Sequence, residues 1–330
     1  MLFEIPTEIT DYLAVLDDFI EREIKPIEQR DDNIRFFDHR REHARTDWDN
    51  YGLPRADWWA LLAEMRRVAD AAGHYRYAIP AEFNGQDGSN LSMAVIRHHL
   101  AHKGLGLHND LQNESSIVGN LVQVLMLRDF GTPQQKRDFI PLMLEGKMGW
   151  SFGLTEEHHG SDATHMDTRA VPEVRDGVAG YVINGNKMWT TGLPYTSHVM
   201  TFARTNGDNG KARGITCFVV PSDAPGFEIG EYMWTFNMPT DHPKVKYTDV
   251  WVPESAMLGE LTMVSRSRSI LCTKTASGKR QARWVLRNIV STGRSTTRAN
   301  ANHLANRWRS IRAFSFLWWS CKPMPKCCGY

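Results

Sequence analysis

The spacing of apolar residues changes once along this chain of 330 residues, close to Gly149. Before that point apolar residues recur at helical spacing, and after it they alternate with polar residues. The first pattern is typical of amphipathic helices and the second of half-buried strands. The sequence therefore predicts an all-α N-terminal domain over residues 1–147 and a middle β-domain over residues 148–262. Helices that precede strands in this way place the chain in the α+β class.

Five helices are expected in the first region. Their predicted ranges are 8–25, 54–73, 91–103, 116–129 and 133–146. Pro26 is expected to end the first helix, while the second begins with Pro54 in its first turn and stops at Gly73. The fifth helix has the clearest start, because Thr132 and Gln135 stand around a proline in the arrangement of a capping box.

Six strands are expected in the second region, forming a barrel or sandwich of hairpins. Their predicted ranges are 170–174, 181–183, 187–190, 198–204, 215–220 and 245–252. Turns are expected at Asp176-Gly177, Asn184-Gly185 and Asn209-Gly210, because such dipeptides readily adopt the backbone conformations of tight turns.

The last part of the chain has a different composition from the rest. Residues 261–330 contain 14 of the 39 Lys and Arg residues and none of the 38 acidic residues. Four of the five cysteines also lie there, whereas the disulfides of a secreted protein would be spread through its body. No signal or transit peptide is visible, and no apolar run approaches the roughly 20 residues of a membrane span. A reduced, cytoplasmic protein is therefore expected.

One segment between the two regions stands out, Phe152-Gly-Leu-Thr-Glu-Glu-His-His-Gly-Ser-Asp162. By itself it also fits an ordinary turn in which Ser and Asp bond to backbone amides. Four further segments are Phe130-Gly-Thr-Pro-Gln-Gln-Lys136, Leu142–Gly146, Asn184-Gly-Asn-Lys-Met-Trp-Thr-Thr-Gly192 and Val250-Trp-Val-Pro-Glu-Ser-Ala-Met-Leu-Gly-Glu260. In this order and spacing, over roughly residues 90–260, the five segments resemble the acyl-CoA dehydrogenase family.

The resemblance implies a helical domain, a β-domain and a third helical domain, with FAD between the last two. A flavin that accepts a hydride gains negative charge along its pyrimidine edge, so donors must already be aimed there. The resemblance assigns this edge to the loop around Phe152, Leu154 and Thr155. It places Trp189 beside the isoalloxazine ring and the Thr191 hydroxyl against it.

Each of these assignments has a structural alternative. Trp189 and Thr191 are expected to project from one strand face, because they are two residues apart. The alternatives are that Trp189 fills the β-core and that Thr191 is an ordinary strand residue. Ser161 falls where the family contacts acyl-CoA near its phosphate-bearing half, or is a turn residue only. Glu157 and His159 depart from the proline and the small residue that are common in the family, so loop rigidity and the fit of the CoA chain are expected to differ.

The implied activity is α,β-dehydrogenation of an acyl-CoA thioester, with electrons passed to an electron-transfer flavoprotein, in a homo-oligomer. An acyl-CoA oxidase and a non-catalytic fragment are the alternatives. The family removes the substrate α-proton with a carboxylate in or near its third domain. Since residues 261–330 hold no acidic residue, the catalytic base is not identified and the third domain is expected to be absent or aberrant. Weak FAD binding and impaired catalysis follow as expectations.

Two other readings concern clusters of basic residues. Nucleic-acid binding by the tail is a remote alternative function, because its Arg and Lys residues could contact phosphates and its Trp residues could stack on bases. The tail contains no recognised nucleic-acid-binding module. His98 and His102 lie one helical turn apart, a spacing compatible with metal ligation, but a solvated helix face is the simpler interpretation. His39 and His43 lie among arginines and indicate a charged surface. No metal site is predicted.

The acid-free tail over residues 263–330 is interpreted as a shifted reading frame or a disordered segment. Codons GTC TCG CGC TCG CGC for Val264–Arg268, moved one base back, encode Leu-Ala-Leu-Ala, the kind of small-apolar helix start that the resemblance implies after Leu-Gly-Glu. We therefore expect sequencing of the gene to reveal these codons and a restored helical pattern in the shifted frame. An intact frame with unrelated codons would contradict the interpretation, and salt-sensitive DNA retention by residues 261–330 would favour the nucleic-acid alternative.

Overall fold

The computed structural model describes residues 5–38, 44–109, 116–119, 121–233 and 241–259. The predictions for the tail, including nucleic-acid binding and the state of the third domain, concern residues outside this description. The same holds for the predictions for His39 and His43. The helices are α1 (Thr7–Phe19), α2 (Lys25–Gln29), α3 (Ala56–Ala71), α4 (Asn90–His102), α5 (Val122–Phe130) and α6 (Pro133–Leu144). The strands are β1 (Thr46–Asp47), β2 (Leu53–Pro54), β3 (Trp150–Gly153), β4 (Arg169–Arg175), β5 (Val178–Lys187), β6 (His198–Arg204), β7 (Ile215–Pro221), β8 (Phe227–Tyr232), β9 (Pro243–Pro253) and β10 (Met257–Leu258).

The first predicted helix extends beyond its expected end. A π-helical turn over Ile20–Ile24 follows α1, and α2 carries Pro26 in its first turn. Proline is tolerated there because its missing N–H belongs to the part of a helix that makes no intrahelical bond. Pro26 therefore begins a helical segment, and the prediction that it ends the helix was wrong.

Two other helix starts differ from prediction. Pro54 pairs with Thr46 in the β1–β2 ladder, and α3 begins only at Ala56, although Gly73 ends it with a φ of 80° as expected. Residues 116–119 are not helical, and α5 begins at Val122. The buried Arg97 explains part of this difference, because its guanidinium donates to the backbone oxygen of Val118 at 2.8 Å.

The predicted capping box of α6 is confirmed. The side-chain amide oxygen of Gln135 accepts the backbone N–H of Thr132 at 2.9 Å, and the Thr132 hydroxyl accepts the backbone N–H of Gln135 at 3.1 Å. The amide nitrogen of the same side chain donates to the carbonyls of Ser255 and Met257, both at 2.9 Å. One buried side chain thus starts α6 and joins it to the chain beside β10.

The eight strands β3–β10 form one strongly curved sheet. Its order is β10-β7-β6-β4-β5-β9-β8, with β3 parallel to β6. Tyr247 on β9 reaches across to Thr201 on β6 with a hydroxyl–hydroxyl distance of 2.8 Å, and Tyr181 on β5 packs on Phe218 on β7 at 5.0 Å. Strands that are not hydrogen-bonded neighbours therefore face each other across an apolar interior, which confirms the predicted barrel or sandwich.

Turn dipeptides were a partly reliable guide to the strands. Asp176-Gly177 joins β4 to β5, and Asn209-Gly210 turns between β6 and β7, as predicted. Asn184-Gly185 does not turn, because β5 continues through it with a bulge between Ile183 and Gly185. Gly185 has a φ of 147°, and a Cβ there would lie 2.5 Å from the Thr168 hydroxyl oxygen. A glycine that permits close backbone approach was mistaken for a turn.

The helices and the curved sheet share a buried core. Its side chains come from α5 and α6 on one side and from β3, β6 and β7 on the other; among them are Val122, Leu125, Ile140, Met143, Trp150, Met200, Phe202, Ile215 and Val219. Trp59 of α3 stacks on Tyr195 at 4.1 Å, and the Tyr195 hydroxyl donates to the Pro54 carbonyl at 3.2 Å.

Among the described helices, none has the length and apolar content that a bilayer span requires.

The double role of Gln135 generates a stability prediction. We expect Gln135→Ala to lower the free energy of unfolding by about 2 kcal/mol, because it removes part of a capping box and leaves two carbonyls without their donor. Gln134→Ala is the matched control, since Gln134 is exposed on the same turn, and its effect should stay within about 0.5 kcal/mol. Denaturant titration of both variants measures the difference, and equal midpoints would contradict the role given to Gln135.

Candidate functional site

The segment that stood out in the sequence forms a closed loop between β3 and β4. At its base the carboxylate of Glu156 accepts the backbone N–H of Asp167 at 2.6 Å and that of Thr168 at 3.0 Å. Arg204, which is buried, adds a bond to the carbonyl of Thr164 at 2.7 Å. The two ends of the loop are therefore held together by charged side chains rather than by a ladder of backbone bonds.

A buried ion pair fixes this loop to the end of β5. The ammonium of Lys187, which is fully buried, lies 2.7 Å from Glu156 Oε1 and donates to the Leu154 carbonyl at 3.3 Å. Burial lowers the pKa of Lys187 to about 8, against the opposing effect of Glu156. Burial also opposes ionisation of Glu156, but the charge and hydrogen bond of Lys187 and the two loop donors hold its pKa below the ordinary value.

The distal part of the loop carries its own polar contacts. Asp162 accepts the Thr164 N–H at 3.0 Å and lies 3.1 Å from His165 Nδ1, and the bonds from these two residues hold the pKa of Asp162 well below its usual range. His159 lies 3.2 Å from Asp167 Oδ2 and stacks on His165 at 5.0 Å. His159, one of the departures from the family pattern, thus helps to organise the loop.

Ser161 lies on this distal part and is exposed. Asp162, beside it, makes the turn bonds that the structural alternative predicted for this segment. The turn and a ligand contact by Ser161 are compatible, because Ser161 is exposed while its neighbour makes the turn. The role of Ser161 in substrate binding therefore stays a prediction.

Trp189 and Thr191 leave the end of β5 differently from prediction. β5 stops at Lys187, and Trp189 has a φ of 60°, so the expected strand over 187–190 was wrong and the two side chains do not share a strand face. The backbone turns because the Thr190 N–H bonds to the Pro243 carbonyl at 3.2 Å and the Thr191 N–H to the Trp189 carbonyl at 2.9 Å. Trp189 is 38% exposed, which contradicts the alternative that it fills the β-core.

Asp241 and His242, which the sequence did not single out, complete this corner. His242 Nδ1 lies 3.0 Å from the Thr191 hydroxyl and 2.9 Å from Asp241 Oδ1. The His242 ring lies 6.4 Å from the Trp189 indole, and the Asp241 carbonyl accepts the Gly192 N–H at 2.9 Å. An adjacent Asp-His pair just before a strand was the available sequence signal, but nothing in its spacing connects it to Thr191.

The structure brings four of the predicted flavin contacts to one place. Lys187 binds the Leu154 carbonyl, and the next residue, Met188, donates its N–H to the Thr155 carbonyl at 2.9 Å. The Leu154–Thr155 backbone therefore lies against the segment that leads into Trp189 and Thr191. Phe152 packs on Phe202 at 5.0 Å beside the shared core, and its role as a flavin contact stays a prediction.

The polar character of this corner suits a flavin edge. The N–H groups of Leu154 and Thr155 have no hydrogen-bond partner among the described residues, and both residues are half-buried. Two hydroxyls, those of Thr155 and Thr191, and an exposed indole stand beside them. Such donors and a flat apolar surface match the pyrimidine edge and the ring face of an isoalloxazine.

The described residues contain no cluster of three or more His, Cys, Asp or Glu side chains arranged to hold a metal ion. His98 and His102 lie on α4 with ring centroids 4.5 Å apart, in an edge-to-face contact.

Two family models match the chain. The model described as the acyl-CoA dehydrogenase N-terminal domain matches residues 7–147, and that described as the acyl-CoA dehydrogenase middle domain matches residues 151–250. Acyl-CoA dehydrogenase FadE26 of Mycobacterium tuberculosis is 32% identical over 227 residues, which cover 67% of this chain and 51% of that protein. The mitochondrial short/branched chain specific acyl-CoA dehydrogenase of Rattus norvegicus is 31% identical over 186 residues, covering 56% and 40%. The chain spans about half the length of the curated relatives it matches.

Solved structures share the fold. Butyryl-CoA dehydrogenase from Megasphaera elsdenii matches with a TM-score of 0.63 at 22% identity, over 88% of this chain and 68% of that one. The FAD complex of PigA matches with a TM-score of 0.64 at 18% identity, over 90% of this chain and 71% of that one. At these identities the likeness establishes the fold alone, and it confirms the predicted order of a helical region followed by a sheet.

The ion pair generates a prediction about the loop. We expect Glu156→Gln to lower the free energy of unfolding by about 3 kcal/mol, because it leaves the Lys187 ammonium buried without its counter-ion. Glu157→Gln, a change at the exposed neighbouring residue, is the matched control and should alter stability by less than about 0.5 kcal/mol.

The same pair predicts a pH dependence. Because the folded-state pKa of Glu156 is lowered, its contribution is present above the ordinary glutamate pKa and is lost as pH falls through the folded value. The difference between wild type and Glu156→Gln should therefore shrink on acidification and be full at neutral pH. Urea titrations at several pH values measure it, and a difference that grows towards acid pH would contradict the assignment.

Proposed function

Because the chain belongs to the acyl-CoA dehydrogenase family, we propose that it carries one side of a flavin site that dehydrogenates an acyl-CoA thioester between its α- and β-carbons. The observation that supports this most directly is the corner formed by the Leu154–Thr155 backbone, Trp189 and Thr191, which the Glu156–Lys187 pair holds in place. These are the positions that the family resemblance assigns to the cofactor.

FAD, when bound, would supply the acceptor for the hydride that leaves the β-carbon. The residues of this chain would bind and orient it. The N–H groups of Leu154 and Thr155, which have no partner among the described residues, and the hydroxyls of Thr155 and Thr191 would be the donors for its polar edge, where negative charge develops. The exposed indole of Trp189 offers an apolar surface for the ring. The buried base of the loop would limit the movement of these donors when the cofactor binds.

The acyl-CoA would lie along the loop after Thr155. Ser161 is exposed on its distal part and is the proposed contact for the phosphate-bearing half of CoA. Glu157 and His159 stand where the family commonly has smaller or more rigid residues, so the fit of the CoA chain is where this protein should differ most from its relatives.

The catalytic base, the electron acceptor and the assembly are not part of the described corner and are addressed here as proposals only. A base for the α-proton is assigned to no residue of this chain, and we retain the proposal that residues 263–330 do not form the family's third domain. On that proposal FAD binding is weak and catalysis is impaired. Electron-transfer flavoprotein is the proposed electron acceptor, and a homo-oligomer is the proposed assembly. The proposed N-terminal domain ends at residue 147 and the proposed middle domain at residue 262.

Flavin binding is the first test. We expect the purified 330-residue chain to take up FAD with measurable but weak affinity, and Trp189→Leu to weaken it roughly tenfold through loss of ring contact. Trp48→Leu is the matched control, because Trp48 is 50% exposed in the helical part of the chain. Equilibrium dialysis with FAD measures both, and equal affinity in the two variants would contradict the placement of the ring at Trp189.

Anaerobic addition of acyl-CoA to the FAD-loaded chain then separates the alternatives. Bleaching of the visible flavin band would show dehydrogenation and would overturn the proposal that the base is missing. Oxidation of the bleached flavin by oxygen would favour an oxidase, and persistence of the bleached form until an electron-transfer flavoprotein is added would favour a dehydrogenase. A chain that binds FAD without bleaching is a cofactor-binding fragment, and one that binds no FAD contradicts the proposed site.

A further inference from the structure

Asp241 and His242 have no role in the proposed function as stated so far, yet His242 contacts its Thr191 hydroxyl and Asp241 contacts His242. His242 Nδ1 lies 3.0 Å from Thr191 Oγ1 and 2.9 Å from Asp241 Oδ1. The side chains of His242 and Asp241 are only 15% and 16% exposed, so water competes weakly for these contacts. The backbone keeps the partners together, because the Gly192 N–H binds the Asp241 carbonyl and the Thr190 N–H binds the Pro243 carbonyl.

The geometry distinguishes the two contacts of Nδ1. The Thr191 oxygen satisfies the criteria of a hydrogen bond, whereas Asp241 Oδ1 is buried and has no hydrogen-bond partner among the described residues. Asp241 therefore acts on the ring through its charge. A carboxylate beside Nδ1 favours the form of the imidazole in which that nitrogen carries the hydrogen. Nδ1–H then donates to Thr191 Oγ1.

This direction decides what the Thr191 hydroxyl can offer a ligand. A hydroxyl has one hydrogen to donate and two lone pairs to accept with. If Nδ1 were unprotonated, the Thr191 hydrogen would be used on it. If Nδ1–H is the donor, the Thr191 oxygen accepts from His242, and the hydroxyl hydrogen of Thr191 is available for another acceptor. Among the described residues, the acceptor for that hydrogen is the Trp189 carbonyl, at a long 3.5 Å, so a ligand atom is the better partner.

We infer that Asp241 and His242 are positioning residues that orient the Thr191 hydroxyl as a donor towards the flavin ring. This inference rests on the proposed function, because it takes the flavin as the occupant of the corner. His242 acts through Thr191 and need not touch the cofactor. The sequence motif placed only the Thr191 hydroxyl and the Trp189 indole at this corner. The inference adds the Asp241 carboxylate and the His242 imidazole.

Variants of the full chain test the inference through FAD affinity and the visible spectrum of bound flavin. His242→Phe removes the donor and should weaken FAD binding roughly tenfold, the order expected for one lost hydrogen bond in a buried site. His242→Asn keeps an N–H close to the position of Nδ1 and should recover most of that loss. Asp241→Asn should give an intermediate effect. His102→Phe, on the exposed face of α4, is the control for the substitution itself.

A double-mutant cycle isolates the route through Thr191. Thr191→Val alone should weaken FAD binding and shift the flavin spectrum, and His242→Phe should add nothing further in that background. Additive effects, or a His242→Phe protein with wild-type affinity and spectrum, would overturn the inference while leaving the proposed function standing. Loss of binding in His242→Phe that His242→Asn does not recover would indicate a structural role and also overturn it. A wild-type chain that binds no FAD would overturn the proposed function and the inference together.

Discussion

The buried contact between Glu156 and Lys187 is the interaction on which the candidate site depends. It takes two charges out of water, which is costly unless both are paired and hydrogen-bonded, and here each charge has further partners in the loop. Its consequence is geometric. The pair ties the segment after β3 to the end of β5, so the Leu154–Thr155 backbone and the turn at Trp189 are held in one arrangement. A pair of this kind is better explained by the position it fixes than by a gain in stability.

The second constraint is the core shared by α5, α6 and the strands β3, β6 and β7. Because apolar side chains of both regions fill one interior, the helical part and the sheet are fixed against each other rather than joined by a flexible link. Gln135 reinforces the same junction by capping α6 and binding the carbonyls beside β10. The loop and the corner thus lie on a rigid support, which is what a site that orients a flat cofactor needs.

The corner is the part of the described structure that we propose binds the flavin. The indole of Trp189 stands exposed at a turn with a left-handed backbone, an arrangement that packing within the sheet does not require. Beside it lie two hydroxyls and the N–H groups of Leu154 and Thr155, which have no hydrogen-bond partner among the described residues. His242 contacts one of those hydroxyls.

The sequence by itself determined the order of helices and sheet, the capping box at Thr132 and the identity of the loop and corner segments, because these depend on local periodicity, capping chemistry and contiguous motifs. It mistook Pro26 for a helix end and Asn184-Gly185 for a turn, because a proline in a first turn and a glycine at a bulge have the same local signature as breaks. Only the tertiary structure decided that Trp189 leaves the strand, that Lys187 reaches Glu156, and that His242 reaches Thr191. The two side-chain contacts join residues 31 and 51 positions apart, and they form only because the fold brings the β3–β4 loop and the start of β9 beside the end of β5, which no local pattern encodes.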